Sequence, residues 1–131
     1  MIGVDTNVLI RYLTQDDLTQ ARKVDTFLSE AMEAGQRLHI DDIVLCETVW
    51  ILRAAYRLGK STIVSTLDRV MSTTLFSFND RESLRAALAE YRDGTADFSD
   101  YLIARRNTHA GCSHTVTFDR SLREAPTFQV L

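Results

Sequence analysis

The sequence predicts an α/β fold, a single domain over residues 1–131 in which a short, mainly parallel β-sheet is flanked by helices on both faces. Three observations predict it. Short apolar runs alternate with segments of helical periodicity, an order that parallel strands joined by right-handed helical crossovers accommodate. Carboxylates and hydroxyls stand ahead of the helical segments and glycines just behind them, where caps belong. With 45% apolar and 25% charged residues, a chain of this size buries roughly two-thirds of its surface, enough for one core and not two.

The elements follow in order. Residues 2–5 form an apolar run ending in the Asp5 carboxylate, and Thr6 and Asn7 offer caps to a helix over residues 8–13. Residues 19–34 place Ala21, Val24, Phe27, Leu28, Ala31 and Met32 at three- and four-residue spacing, with Gly35 just beyond. Residues 38–40 read as a brief strand, after which Asp41 or Asp42 caps a long helix ending near Gly59. A fourth helix covers residues 61–72, a third strand residues 75–78, and Asp80 caps a helix to Tyr91 that Gly94 closes. Residues 98–110 make another helix, stopped by Gly111. Residues 115–118 are a strand ending at Asp119, and residues 127–130 a last edge strand after Pro126, the only proline. No repeat, low-complexity tract or linker divides the chain.

Several classes are excluded. No stretch reaches the ~20 apolar residues of a membrane span, and Met1 leads into Ile2-Gly3-Val4-Asp5 without a basic and apolar leader, so a cytoplasmic protein is expected. The two cysteines, Cys46 and Cys112, read as free thiols. His109, Cys112 and His114 crowd one turn but lack the spacing of a structural zinc site. Fifteen basic against 18 acidic residues give net −3, which taken alone argues against a polyanionic partner.

The placement of the acids reverses that inference. In open α/β sheets the functional crevice lies beyond the carboxyl ends of the strands, where Asp5 and Asp119 sit. Glu47 falls in a helical stripe with Ile43, Trp50, Ile51, Ala54 and Leu58, so it is expected on a core-facing side and in need of a cation or hydrogen-bond partner. The same helix carries a second apolar row of Leu45, Val49, Leu52 and Tyr56, which points to burial against a partner as well as the domain. Asp97 and Asp100 share one face at a helix start, continued by Ala104 and Asn107. Asp5, Glu47, Asp100 and Asp119, with Asp97 as a fifth acid, would repel one another unless hard divalent cations bound them. All-oxygen sites suit Mg²⁺, with Mn²⁺ able to substitute. With these acids neutralised, the remainder is net positive and rich in arginine, whose planar fork grips phosphate. Arg11 and Arg120 are candidates for holding flanking phosphates.

The segments Val4-Asp5-Thr6-Asn7-Val8-Leu9, Cys46-Glu47-Thr48-Val49-Trp50, Asp97-Phe98-Ser99-Asp100-Tyr101-Leu102-Ile103-Ala104 and Thr115-Val116-Thr117-Phe118-Asp119 resemble, in order and spacing, those of PIN domains. More narrowly, the chain resembles the VapC ribonuclease toxins of bacterial toxin–antitoxin pairs. The resemblance implies a metal-dependent endoribonuclease acting on RNA, with Asp5, Glu47, Asp100 and Asp119 as the acidic quartet and Asp97 as an accessory ligand. It also implies Asn7 and Thr117 as polar neighbours of the site, a homodimer, and a cognate VapB-like antitoxin that binds DNA. Tyr101 departs from the pattern, which more usually has a small residue there.

The chemistry expected is metal-assisted phosphodiester hydrolysis leaving 5′-phosphate and 3′-hydroxyl ends. A phosphoacceptor signalling domain shares an aspartate after a parallel strand, but it needs a lysine near a late strand end and an acid pair after the first strand, and both are missing. A binding module without turnover is the other competing class, and the intact acidic set argues against it.

Overall fold

The computed structural model describes residues 1–131 as an α/β fold of two compact units, Met1–Arg81 and Glu82–Leu131. No helix is long and apolar enough to cross a membrane.

In the first unit, β1 (Ile2–Gly3), β2 (Leu38–His39) and β3 (Phe76–Ser77) form a parallel sheet with β2 in the centre. Its register pairs Gly3 with His39 and His39 with Ser77. Four helices complete the unit: α1 (Thr6–Thr14), α2 (Leu18–Glu33), α3 (Asp42–Ala54) and α4 (Lys60–Ser72). Helix α1 packs on α2 and α3, and α3 on α4. Leu9, Leu38, Ile40, Leu45, Leu52, Ile63, Leu67 and Met71 are almost fully buried, and Tyr12 meets the ring of Phe76 edge-on with centroids 5.7 Å apart.

Three expectations are corrected here. The cap of α1 is Asp5, whose Oδ1 accepts the Val8 N–H at 3.0 Å, while Thr6 and Asn7 are already helical. Helix α3 stops at Ala54, well short of Gly59, and Arg57 takes the left-handed conformation (φ 53°) that glycine usually supplies. The cause is tertiary: the Tyr56 hydroxyl donates to Asp16 Oδ2 at 2.6 Å and accepts from Arg11 at 3.3 Å, tying the chain back to the α1–α2 turn. The third correction is rotational. Helix α3 buries Leu45, Thr48, Val49 and Leu52, whereas Ile43 is 67% and Trp50 48% exposed and Glu47 is exposed with them. Two apolar rows competed for the core, and the row without a carboxylate won because an ionised Glu47 is costly to bury. Thr48 is tolerated inside because its hydroxyl donates to the Val44 carbonyl at 2.7 Å.

The second unit holds most of α5 (Arg81–Asp93), α6 (Phe98–His109), β4 (Thr115–Thr117), a 3₁₀ turn at Arg120–Leu122, and β5 (Phe128–Val130). Strands β4 and β5 pair in parallel with Thr115 against Phe128 and Thr117 against Val130. Leu84, Ala87, Tyr91, Phe98, Leu102, Ala104 and Leu122 are buried. Gly111 (φ 98°) ends α6 as anticipated: its N–H donates to the Thr108 carbonyl and the following Cys112 N–H to Asn107, satisfying carbonyls the helix leaves open. Asn107 then donates its side-chain amide to Thr115 Oγ1 at 2.9 Å, fastening α6 to β4.

Candidate functional site

In the first unit, the β1 backbone delivers Asp5 just past the carboxyl end of its strand, with Val4 N–H still bonded to the His39 carbonyl at 3.1 Å. Capping occupies one oxygen of Asp5 and fixes its side chain, leaving the other oxygen available. Asp5 lines a cavity of about 270 Å³ with Asn7, Val8 and Arg11 of α1 and Gln20, Lys23 and Val24 of α2. Arg11 is firmly held: its Nε donates to Gln20 Oε1 at 2.6 Å and its Nη1 to Asp16 Oδ1 at 2.9 Å. Glu47 does not line this cavity. It stands on the outward face of α3 beside Cys46, whose thiol is pushed up to about 11 by burial and then by the negative charges of Asp42, Asp41 and Glu47. That thiol stays protonated at neutral pH.

The second unit gathers three of the candidate acids. Asp97 is the residue before α6, and its N–H donates to Asp100 Oδ2 at 3.0 Å, the return half of a capping box. Asp119 opens the 3₁₀ turn, its Oδ1 accepting the Ser121 N–H at 2.9 Å, while its own N–H donates to Thr117 Oγ1 at 3.0 Å. These settings pull the acids in opposite directions. Burial, and then the charges of Asp97 and Asp119, hold the Asp100 carboxyl above its ordinary range, although the Asp97 N–H opposes the shift. Hydrogen bonds from Ser121 hold Asp119 below that range. Arg120, next to it, is exposed.

No group of three or more His, Cys, Asp or Glu side chains is arranged to hold a metal ion. The fit to a hard divalent cation rests instead on donor chemistry. Asp97, Asp100 and Asp119 are oxygen donors; burial first, and then the charges of the other two, hold Asp100 above its ordinary range, and a bound cation would offset both.

A prediction follows for Asp100→Asn. Because the folded-state pKa of Asp100 is raised, its ionisation opposes folding: the cost is absent below the ordinary carboxylate range and complete above the raised value. The amide removes the charge and keeps an oxygen for the Asp97 N–H. In EDTA at pH 7 the variant is expected to melt about 1–2 °C above the wild type, a small effect because the group is partly solvated. Calorimetry should show the gain fading as pH falls through the carboxylate range; an undiminished gain at low pH would trace it to packing.

The structure thus brings Asp5, Asn7 and Arg11 around one cavity, and Asp97, Asp100, Asp119 and Thr117 into another cluster. Gln20 and Lys23 were not singled out from sequence as site residues; the available signal was their three-residue spacing, which puts them on one face of α2. A PIN-domain family model matches residues 2–127. The chain is also similar to a VapC ribonuclease of Aquifex aeolicus (strain VF5), at 22% identity over 121 residues, or 92% of this chain and 89% of that protein.

Proposed function

This chain belongs to the PIN-domain family, and from that premise we propose that residues 1–131 act as one metal-dependent endoribonuclease domain, the toxin of a toxin–antitoxin pair. The observation that carries the reading is the placing of Asp97, Asp100 and Asp119 together, where burial first and then the charges of its neighbours hold the Asp100 carboxyl above its ordinary range. A divalent cation bound by these oxygens would offset the burial and repulsion that raise Asp100.

In this reading Asp5, Asp97, Asp100 and Asp119 hold Mg²⁺ or Mn²⁺, and Asp5, Glu47, Asp100 and Asp119 act on the phosphodiester. The cation supplies positive charge against the scissile phosphate and lowers the pKa of water. Asp119, held ionised by Ser121, and Glu47, exposed on α3, are suited to orient the attacking water or to hold a second ion. Thr117 fixes Asp119 through its backbone N–H. Asn7 and Arg120 offer donors to substrate oxygens, and Arg11 adds positive charge from a fixed position. The cytoplasm, a homodimer and a VapB-like DNA-binding antitoxin belong to the same reading, and the exposed Ile43 and Trp50 of α3 offer a protein partner apolar surface.

The test is incubation of the purified protein with a mixed RNA pool in Mg²⁺ or in EDTA, with mapping of cut sites and end chemistry. Cleavage is expected only with the metal, leaving 5′-phosphate and 3′-hydroxyl ends. Ends carrying 2′,3′-cyclic phosphate, or equal cutting in EDTA, would overturn the proposal. Co-expression with a neighbouring DNA-binding protein, if it relieves growth arrest, tests the toxin role.

A further inference from the structure

The cavity beside Asp5 contains more than the mechanism above uses. Its walls carry two cations, Arg11 and Lys23, against one carboxylate, Asp5. Arg11 and Gln20 are committed to each other at 2.6 Å, and Arg11 further to Asp16 and Tyr56, so they shape the wall and have little freedom to follow a ligand. Lys23 is different. It is exposed on α2, and its ammonium makes no hydrogen bond or ion pair within the chain. The Asn7 carboxamide, one residue into α1 and also exposed, is likewise uncommitted. Val8 and Val24 complete the lining with apolar surface.

We infer that this cavity is a subsite for one sugar–phosphate unit of single-stranded RNA flanking the scissile bond, with Lys23 as the phosphate grip and Asn7 as a hydrogen-bond donor to the same unit. The inference rests on the nuclease reading, because it is the proposed role of Asp5 that puts the neighbouring unit of the same strand into the adjoining cavity. Charge supports the choice: Arg11 is already paired with Asp16, so Lys23 is the cation of the cavity left to meet one phosphodiester. Lys23, a point charge on a four-carbon stem, can follow a backbone without reading its sequence. Gln20, pinned by Arg11, keeps the cavity open for the ribose and base.

The test uses Lys23→Gln, with Lys60→Gln as a lysine outside the cavity. Binding of a fluorescent single-stranded RNA 12-mer of mixed sequence is followed by anisotropy in EDTA, where catalysis plays no part, across a series of KCl concentrations. Lys23→Gln is expected to weaken binding about fivefold at low salt and to reduce the slope of log K against log salt by about 0.7, the loss of one single-strand phosphate contact. Lys60→Gln should leave both at wild-type values. In Mg²⁺, Lys23→Gln should raise KM by a similar factor with kcat nearly unchanged, the pattern of a group that binds ground and transition state alike. A wild-type protein that cleaves RNA alongside a Lys23→Gln variant with the same affinity and slope would sink the subsite and spare the nuclease reading. Wild-type protein that neither binds nor cuts RNA would sink both. Polyglutamate serves as the competing probe: a variant that loses polyglutamate binding and keeps RNA binding would assign the cavity to an acidic peptide and overturn the inference.

Discussion

Asp5→Asn is expected to lower RNA cleavage by about a hundredfold to a thousandfold while leaving the fold intact. The two halves of that expectation come from different atoms of one side chain. Asp5 Oδ1 caps α1 by accepting the Val8 N–H at 3.0 Å, and asparagine caps as well as aspartate, so melting temperature should move little. What asparagine lacks is the negative charge and the second carboxylate oxygen, and a preorganised electrostatic group at a reacting phosphate contributes on the order of 10²–10³ in rate even when it is one of several. Asp5→Ala is a poorer experiment, because it also removes the cap at a cost of about 1 kcal/mol. The comparison separates two roles for an aspartate that ends a strand. If Asp5 only starts the helix, the asparagine variant cuts RNA at the wild-type rate in Mg²⁺, and the proposed metal role of Asp5 fails. Asp119, which caps the 3₁₀ turn through Oδ1 and Ser121, can be tested in the same way. That both acids cap the next element has a chemical use: the cap holds the carboxylate in one orientation before any ligand arrives, so less ordering remains to be done on binding.

Local signals made much of this legible. The glycine after α6 and the apolar spacing within α2 were visible as letters, and both helices lie within a residue of the expected boundaries. Asp5, Asp97, Asp100 and Asp119 could be placed at element ends because strand ends and caps are short-range features. What could not be read depends on which surfaces meet. Helix α3 carries two apolar rows, and only packing decides that Leu45 and Val49 go inside while Ile43 and Trp50 stay out. Glu47 was therefore assigned to the wrong side of its helix, although its carboxylate was itself the clue. The end of α3 was hidden for a similar reason, since the Tyr56 to Asp16 hydrogen bond spans 40 residues. Arg11 looked like a free phosphate grip because its partners Gln20 and Tyr56 are remote in sequence. Lys23 escaped notice because nothing local distinguishes a lysine over a cavity from one over open solvent.

Gly94→Ala is expected to be among the most damaging single methyl additions available in the chain, and the reason lies with Tyr101. A bulky residue at position 101 is accommodated because Gly94 has no Cβ: a methyl group there would overlap the Tyr101 hydroxyl, lie 2.7 Å from its ring carbon Cζ and 2.8 Å from the Glu90 carbonyl. Tyr101 is only 5% exposed, and its hydroxyl accepts the Ala96 N–H at 3.3 Å, so the ring has no easy way to swing aside. Overpacking of this kind costs about 3 kcal/mol, which for a chain of this length lowers Tm by about 10 °C. The strain falls on residues 94–96, which lead directly into Asp97 and the cap that aligns Asp100, so Mg²⁺-dependent cleavage should weaken even at temperatures where the variant remains folded. The double variant Gly94→Ala/Tyr101→Leu isolates the cause. With the hydroxyl and ring gone, the alanine should cost at least ~1 kcal/mol less than it does beside tyrosine. Contact with the Glu90 carbonyl should keep that cost above zero. Thermal melts of the four proteins in the cycle decide the matter: strictly additive losses would mean that the glycine is required for its backbone alone and that Tyr101 plays no part.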